Sequence, residues 1–205
     1  PSDRSAGVSV RVLYLNPFSQ EVSGPDESLL TILGQLIPMG VEAHLVLPKP
    51  GPQVPRYEAL GVQVHFAPLS VLKRRIGPMD LALFGPRLLR GATVVTRIAR
   101  QERIDLIHTN MEVVLDGALA ARRLRLPHVL HYRGNTLDRP TLVFDALTRW
   151  WTSTADRVFC ISEATAQIFR KRGLGANVEV LYNPVDVEVF SSAERSDGVR
   201  RELGA

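Results

Sequence analysis

The sequence predicts a doubly wound α/β domain on a mainly parallel sheet of about seven strands. Short apolar runs recur at Val8–Leu15, Glu42–Leu47, Val62–Phe66, Asp105–His108, His128–His131, Arg157–Ile161 and Val178–Leu181. Several carry Val, Ile and Leu at successive positions, the pattern of strands covered on both faces. Helical patterns separate most of them, and strand and helix in alternation specify a parallel sheet wrapped by helices.

Each helical segment has its own periodicity. Glu27–Ile37 places Leu29, Leu30, Leu33 and Leu36 on one side and stops at Pro38 to Gly40. Pro48–Pro55 reads as a surface loop from its prolines and glycine. A helix after Pro86 would set Leu88, Val95, Ile98 and Ala99 on one face and most of its arginines on the other. Glu112–Arg125 carries Val113, Leu115, Leu119 and Leu124, and Thr165–Arg172 ends at Gly173. The polar tail Ser191–Gly198 reads as the start of a linker.

The chain of 205 residues, 45% hydrophobic, is long enough for one substantial core, so one domain is expected. With 25 Lys and Arg against 21 Asp and Glu, the net charge of +4 is too modest for a dedicated nucleic-acid binder, and no nucleic-acid partner is expected. The single cysteine, Cys160, excludes an intrachain disulfide and a Cys-based metal cluster and suits a reducing cytoplasm. No stretch approaches the roughly 20 apolar residues of a membrane span. The five histidines show no metal-ligand spacing, so no metal site is expected, and His44, His65 and His128 read as core histidines.

Parallel strands place their carboxyl ends along one rim, where such sheets bind ligands. Polar residues follow the strands there: Asn16 to Asp26, Thr109 and Asn110, Tyr132 to Asn135, and Ser162 with Glu163. Ser23-Gly24-Pro25-Asp26 enters a helix, whose first free N–H groups can hold a phosphate oxygen; Asp26 could equally be a helix cap. His131-Tyr132-Arg133-Gly134-Asn135 joins an imidazole, a guanidinium and an amide, a grouping suited to a polar ligand, or to an ordinary strand-end turn. His108-Thr109-Asn110 would form the facing wall. Between Leu69 and Ile104, eight basic residues meet two acidic ones, a local +6. That segment is either a solvated helix or a contact for an anionic membrane.

Ala155-Asp156-Arg157-Val158-Phe159-Cys160-Ile161-Ser162-Glu163, then Val178-Glu179-Val180-Leu181-Tyr182-Asn183-Pro184-Val185-Asp186 and Phe190, resembles glycosyltransferase family 4. Ser23 to Leu30, Ile104 to Asn110 and Leu126 to Gly134 resemble the family's earlier segments. The family's paired glycines stand here as Ser23-Gly24, and its Asn-Gly turn as Asn183-Pro184.

The resemblance implies the Rossmann-like N-terminal half of a GT-B fold over residues 1–190, with 191–205 leading to a C-terminal donor-binding domain. It implies a retaining transferase that moves a sugar from a nucleotide-diphosphate sugar to a hydroxyl acceptor, lipid-linked or anionic. This chain alone would be inactive, and neither cofactor nor metal would be required. His131 would face the transferred sugar as the catalytic residue, and Ser23, Gly24 and Asp26 would form the donor-phosphate loop. Asn16, Asn110, Arg133, Asn135 and Glu163 would line the acceptor and sugar side, with Asn183 and Asp186 at the hinge. The work would be done in the cytoplasm, peripherally at the inner membrane face. Two other readings are a non-catalytic module binding an acceptor or membrane, and a fragment of a GT-B epimerase or phosphorylase.

Overall fold

The computed structural model describes residues 9–20, 23–72, 78–134 and 142–185. Seven strands alternate with six helices among them: β1 (Val10–Leu15), α1 (Gly24–Leu36), β2 (Val41–Leu47), α2 (Val54–Ala59), β3 (Gln63–Phe66), α3 (Pro78–Gln101), β4 (Leu106–Thr109), α4 (Asp116–Leu124), β5 (His128–Tyr132), α5 (Leu142–Thr154), β6 (Arg157–Cys160), α6 (Glu163–Arg170) and β7 (Val178–Val180). All strand pairs are parallel, in the order β3-β2-β1-β4-β5-β6-β7. The expected doubly wound sheet is therefore present.

Alternation along the strands sorts the core onto two faces. Val12, Tyr14, Ala43, Leu45 and Leu47 pack with Leu29, Leu30 and Leu33 of α1 and Tyr57 of α2. Leu13, Leu15, Val46 and Ile107 point the other way, against Val95 and Ile98 of α3 and Ala120 and Ala121 of α4. The same side continues through Leu130, Tyr132, Val158 and Cys160, which meet Phe144 and Trp151 of α5 and Phe169 of α6. On the α1 side, a row of rings crosses four strands: Tyr14 to His108 at 5.1 Å, His108 to His131 at 5.9 Å and His131 to Phe159 at 6.4 Å between centroids.

Two aspartates pin adjacent strands by one device. Asp105, just before β4, accepts from the Arg11 N–H at 2.9 Å and donates its own N–H to the Arg11 carbonyl at 2.9 Å. Asp156, before β6, does the same to His128 with both bonds at 2.8 Å. Ser162 then caps α6, its hydroxyl accepting from the Thr165 N–H at 3.2 Å. The Asp and Ser of the segment from Ala155 to Glu163 thus fix where β6 begins and where α6 starts.

Three local expectations need correction. Pro48–Pro55 is not wholly loop, because Val54 and Pro55 open α2, where proline's missing N–H has no helical partner to lose. The basic helix begins at Pro78 and runs through Pro86. Phe84 and Leu88, on either side of that proline, both pack on the second core, so burial outweighs the lost bond. Helix α5 lies between the His131 segment and the Asp156 strand, where no helix was expected.

Candidate functional site

β1 and β4 are neighbours, yet the chain leaves them in opposite directions, toward β2 and toward β5. Their carboxyl ends form the switch point of the sheet, where a crevice opens. Asn16 follows β1 there and Asn110 follows β4. The Asn110 amide donates to Asn16 Oδ1 at 3.1 Å, and Asn16 Nδ2 donates to Asp26 and, at 3.2 Å, to the Phe18 carbonyl.

Arg133, after β5, completes this network. Its Nε donates to the Asn110 carbonyl at 2.9 Å and one terminal nitrogen to Asn110 Oδ1 at 2.7 Å. The other reaches Asn183 Oδ1, beyond β7, at 2.8 Å, and Asn183 Oδ1 also accepts from the Ser28 hydroxyl of α1 at 3.2 Å. The Arg133 N–H donates to Glu112 at 3.0 Å. Burial pulls the Arg133 pKa down to about 10, opposed by the carboxylates of Glu112 and Asp26, so the guanidinium stays charged at neutral pH.

Asn16, Asp26, Asn110 and Glu112 are all 0% exposed. Asn16 and Asn110 therefore stand at the rim as expected, but their side chains are spent on the protein and line no open wall. Asp26 is likewise committed: it accepts from the Ser23 N–H at 3.1 Å and from the Ser23 hydroxyl, and so organises the start of α1.

Gly24 is the first residue of α1, and its φ is not among the positive ones. Its backbone is therefore that of an ordinary helix start. What it supplies is space, because a Cβ built there meets nothing within 4 Å. It lines a pocket of about 710 Å³ with Glu27, Ser28, Arg56, Asn183 and Pro184. On the other side of the helix start, Ser23 borders a second pocket of about 430 Å³ with Phe18, Gln20 and Lys49. The α1 N-terminus thus opens onto free volume on both sides.

His131 lies in β5 with its ring fully buried, at 0% exposure. Neither ring nitrogen has a hydrogen-bond partner among the described residues. Burial, reinforced by Arg133 and His108, pushes its pKa down to about 2, so the imidazole is neutral. A neutral imidazole offers a ligand hydrogen bonding rather than charge. Glu163 is exposed and accepts from Gln167 at 3.0 Å and from Arg170, a surface pair with no link to the rim network. Asn135 and Asp186 lie outside the described residues.

Sequence reasoning missed Glu112, Arg56 and Lys49. Glu112 had been placed inside a helix that in fact begins at Asp116. Arg56, paired in two bonds with Glu27, and Lys49 follow the prolines that marked the segment as loop. His128, by contrast, is satisfied by Thr109 at 2.9 Å and the Thr154 carbonyl at 3.1 Å, as a core histidine should be. No group of three or more His, Cys, Asp and Glu that could hold a metal ion occurs among the described residues.

A seven-stranded parallel sheet in this order, with a helix start open at its switch point, is one Rossmann-like half of a GT-B fold. The chain belongs to glycosyltransferase family 4, whose sequence profile matches residues 22–189. Its fold is similar to that of HepE from Anabaena, solved in complex with UDP, with a TM-score of 0.62 and 20% identity over 95% of this chain and 50% of that one. It is similar also to a glycosyltransferase from Rickettsia africae, with a TM-score of 0.61 and 14% identity over 96% and 48% of the two chains. A UDP-N-acetylglucosamine 2-epimerase described as putative, from Listeria monocytogenes, gives a TM-score of 0.60 and 14% identity over 96% and 52%. The chain spans about half the length of these structures. No curated protein sequence matches it.

Proposed function

We propose that this chain is the acceptor-side half of a retaining glycosyltransferase that moves a sugar from a nucleotide-diphosphate sugar to a hydroxyl acceptor. The observation that carries the proposal is the α1 start at the switch point, with Gly24 facing open volume. The Gly24 N–H and the positive end of the helix dipole favour a phosphate there, as both donor and leaving group. HepE, which shares this fold, was solved with UDP and also with UDP and glucose. The epimerase shares the fold as well, so the transferase reading rests on family membership rather than on shape.

In this reading the described residues divide their roles. Gly24 presents its backbone N–H to the donor diphosphate, while Ser23, Asp26, Asn16, Asn110 and Arg133 hold that backbone still. Asn183, held by Arg133 and Ser28, fixes the chain where it turns toward the donor-binding half. His131, neutral and without a partner among the described residues, orients a sugar hydroxyl. The exposed residues of the second pocket, Phe18 and Lys49, face the acceptor. The protein works in the cytoplasm without a metal or other cofactor, and the arginines of α3 bring it to an anionic membrane face.

Retention is tested by product stereochemistry. The full-length protein is incubated with a panel of α-linked nucleotide sugars and a hydroxyl acceptor, and the anomeric proton coupling of the product is read by NMR. An α-linked product is expected; a β-linked product, or nucleotide-sugar epimerisation without transfer, contradicts the proposal.

A further inference from the structure

Far from the rim, α3 and α4 enclose a groove of about 360 Å³ lined by Thr93, Thr96, Arg97, Arg100, Gln101 and Arg123. Both helices end where a new strand begins, so their last turns lie at the edge of the sheet opposite the switch point. Arg97, Arg100 and Arg123 are exposed, and none of the three forms an ion pair with a described carboxylate. No acidic residue lines the groove.

The groove is ordered rather than a loose surface. Arg123 of α4 donates across it to the Thr93 hydroxyl of α3 at 3.3 Å, which aims that guanidinium at the groove. The Thr93 and Thr96 hydroxyls donate to their own helix carbonyls at 2.6 Å, leaving the guanidiniums and the Gln101 amide as the free donors. On the other flank of α4, Arg122 and Arg125 border a second groove with Trp150.

A plainer explanation is that arginines settle at helix carboxyl ends to offset the macrodipole. Arg100 and Arg123 do lie in last turns, but Arg97 does not. Each helix end carries only about half a negative charge, so three guanidiniums exceed what two ends can use. Gathered without a counter-charge they repel one another, and a bound anion would relieve that repulsion.

We propose that the α3–α4 groove is a phosphate-binding site, separate from the rim, that takes a phosphate or diphosphate group between Arg97, Arg100 and Arg123. Guanidiniums bind phosphate oxygens with paired, charge-assisted hydrogen bonds, and convergence of three from two helices suits a doubly charged group. The group comes either from a soluble metabolite or from a lipid headgroup. The inference does not depend on what the rim catalyses.

The test uses the full-length protein, the triple variant Arg97→Gln/Arg100→Gln/Arg123→Gln and, as a rim control, Gly24→Val. Binding of inorganic pyrophosphate is measured by calorimetry, and sedimentation is measured with phosphatidylglycerol or phosphatidylcholine vesicles. Because the three arginines are exposed, the variant keeps its melting temperature within a few degrees. Pyrophosphate binding that persists in Gly24→Val and falls at least about tenfold when the three arginine changes are added to it supports a soluble ligand. Sedimentation with phosphatidylglycerol alone, lost in the triple variant, supports a lipid headgroup. Absence of binding to either probe in Gly24→Val, or binding there that the three added arginine changes leave intact, overturns the proposal.

Discussion

Arg133 shows how single side chains set the rim. It binds one segment after β4, through Asn110, and one after β7, through Asn183, while its backbone holds Glu112. A hydrogen bond to a charged group contributes about 1.5–3 kcal/mol, and a buried charge left without its partner costs more. His131 is the opposite case, a buried polar ring that gains nothing from the described residues. Such a group is retained at a cost in stability, which is expected where it serves a ligand. Replacement by a similarly sized apolar side chain separates the two roles. His131→Leu should leave stability at neutral pH unchanged or raised by about 1 kcal/mol in urea unfolding, while sugar transfer falls at least about 100-fold. Unchanged turnover would remove His131 from the site.

The same residues set the acid response. His108, His128 and His131 all have folded-state pKa values below the ordinary 6.5, His108 at about 3 and His131 at about 2, chiefly through burial. Below pH 6.5 the unfolded chain takes up protons that the folded state refuses, so stability is full above that pH and falls as the pH drops. Asp116 acts oppositely: burial raises its pKa from 3.8 to about 7, so its folded form is favoured at low pH and penalised as the pH rises through 7. His108 and His131 against one carboxyl leave a loss of about 1 kcal/mol per pH unit between pH 6 and 4, and His128 and His65, also lowered by burial, add to it. Urea unfolding across that range measures the slope, which should be shallower in His131→Leu.

At the scale of elements, Asp105 and Asp156 explain why an aspartate precedes each of two strands. Each closes a pair of bonds with the first residues of its neighbour and so fixes parallel register before the ladder begins. Asp156→Ala should cost about 1–2 kcal/mol in unfolding free energy, and Asp156→Asn, which keeps an acceptor oxygen, noticeably less. Equal losses in the two variants would show that charge, not the bond, matters. The strands themselves were legible, because buried parallel strands are written as apolar runs. The α5 helix was not: it carries Thr148, Thr152, Thr154, Trp150 and Trp151, weak helix formers, and is held by Phe144 and Trp151 in the core. Prolines hid α2 and the first turns of α3, since a proline's effect depends on which carbonyls it faces and on the packing around it.

At the scale of the whole molecule, strand order puts Asn16, Gly24, Asn110, Arg133 and Asn183 at one switch point from four separate stretches of sequence. Their gathering was legible from the rule that ligands meet the carboxyl ends of parallel strands. Their division of labour was not, because a sequence shows which residues reach the rim but not which are spent on one another there. Asn16 and Asn110 bond to one another, and Gly24 has open space beside it. That space makes Gly24→Val the most direct test of the account. A Cβ at this position meets no protein atom within 4 Å, so the fold should be untouched and the melting temperature should change by no more than a few degrees. If donor phosphate sits at the α1 start, nucleotide-sugar turnover by the full-length protein should fall at least about 100-fold. Turnover equal to that of the unaltered protein would contradict the central claim.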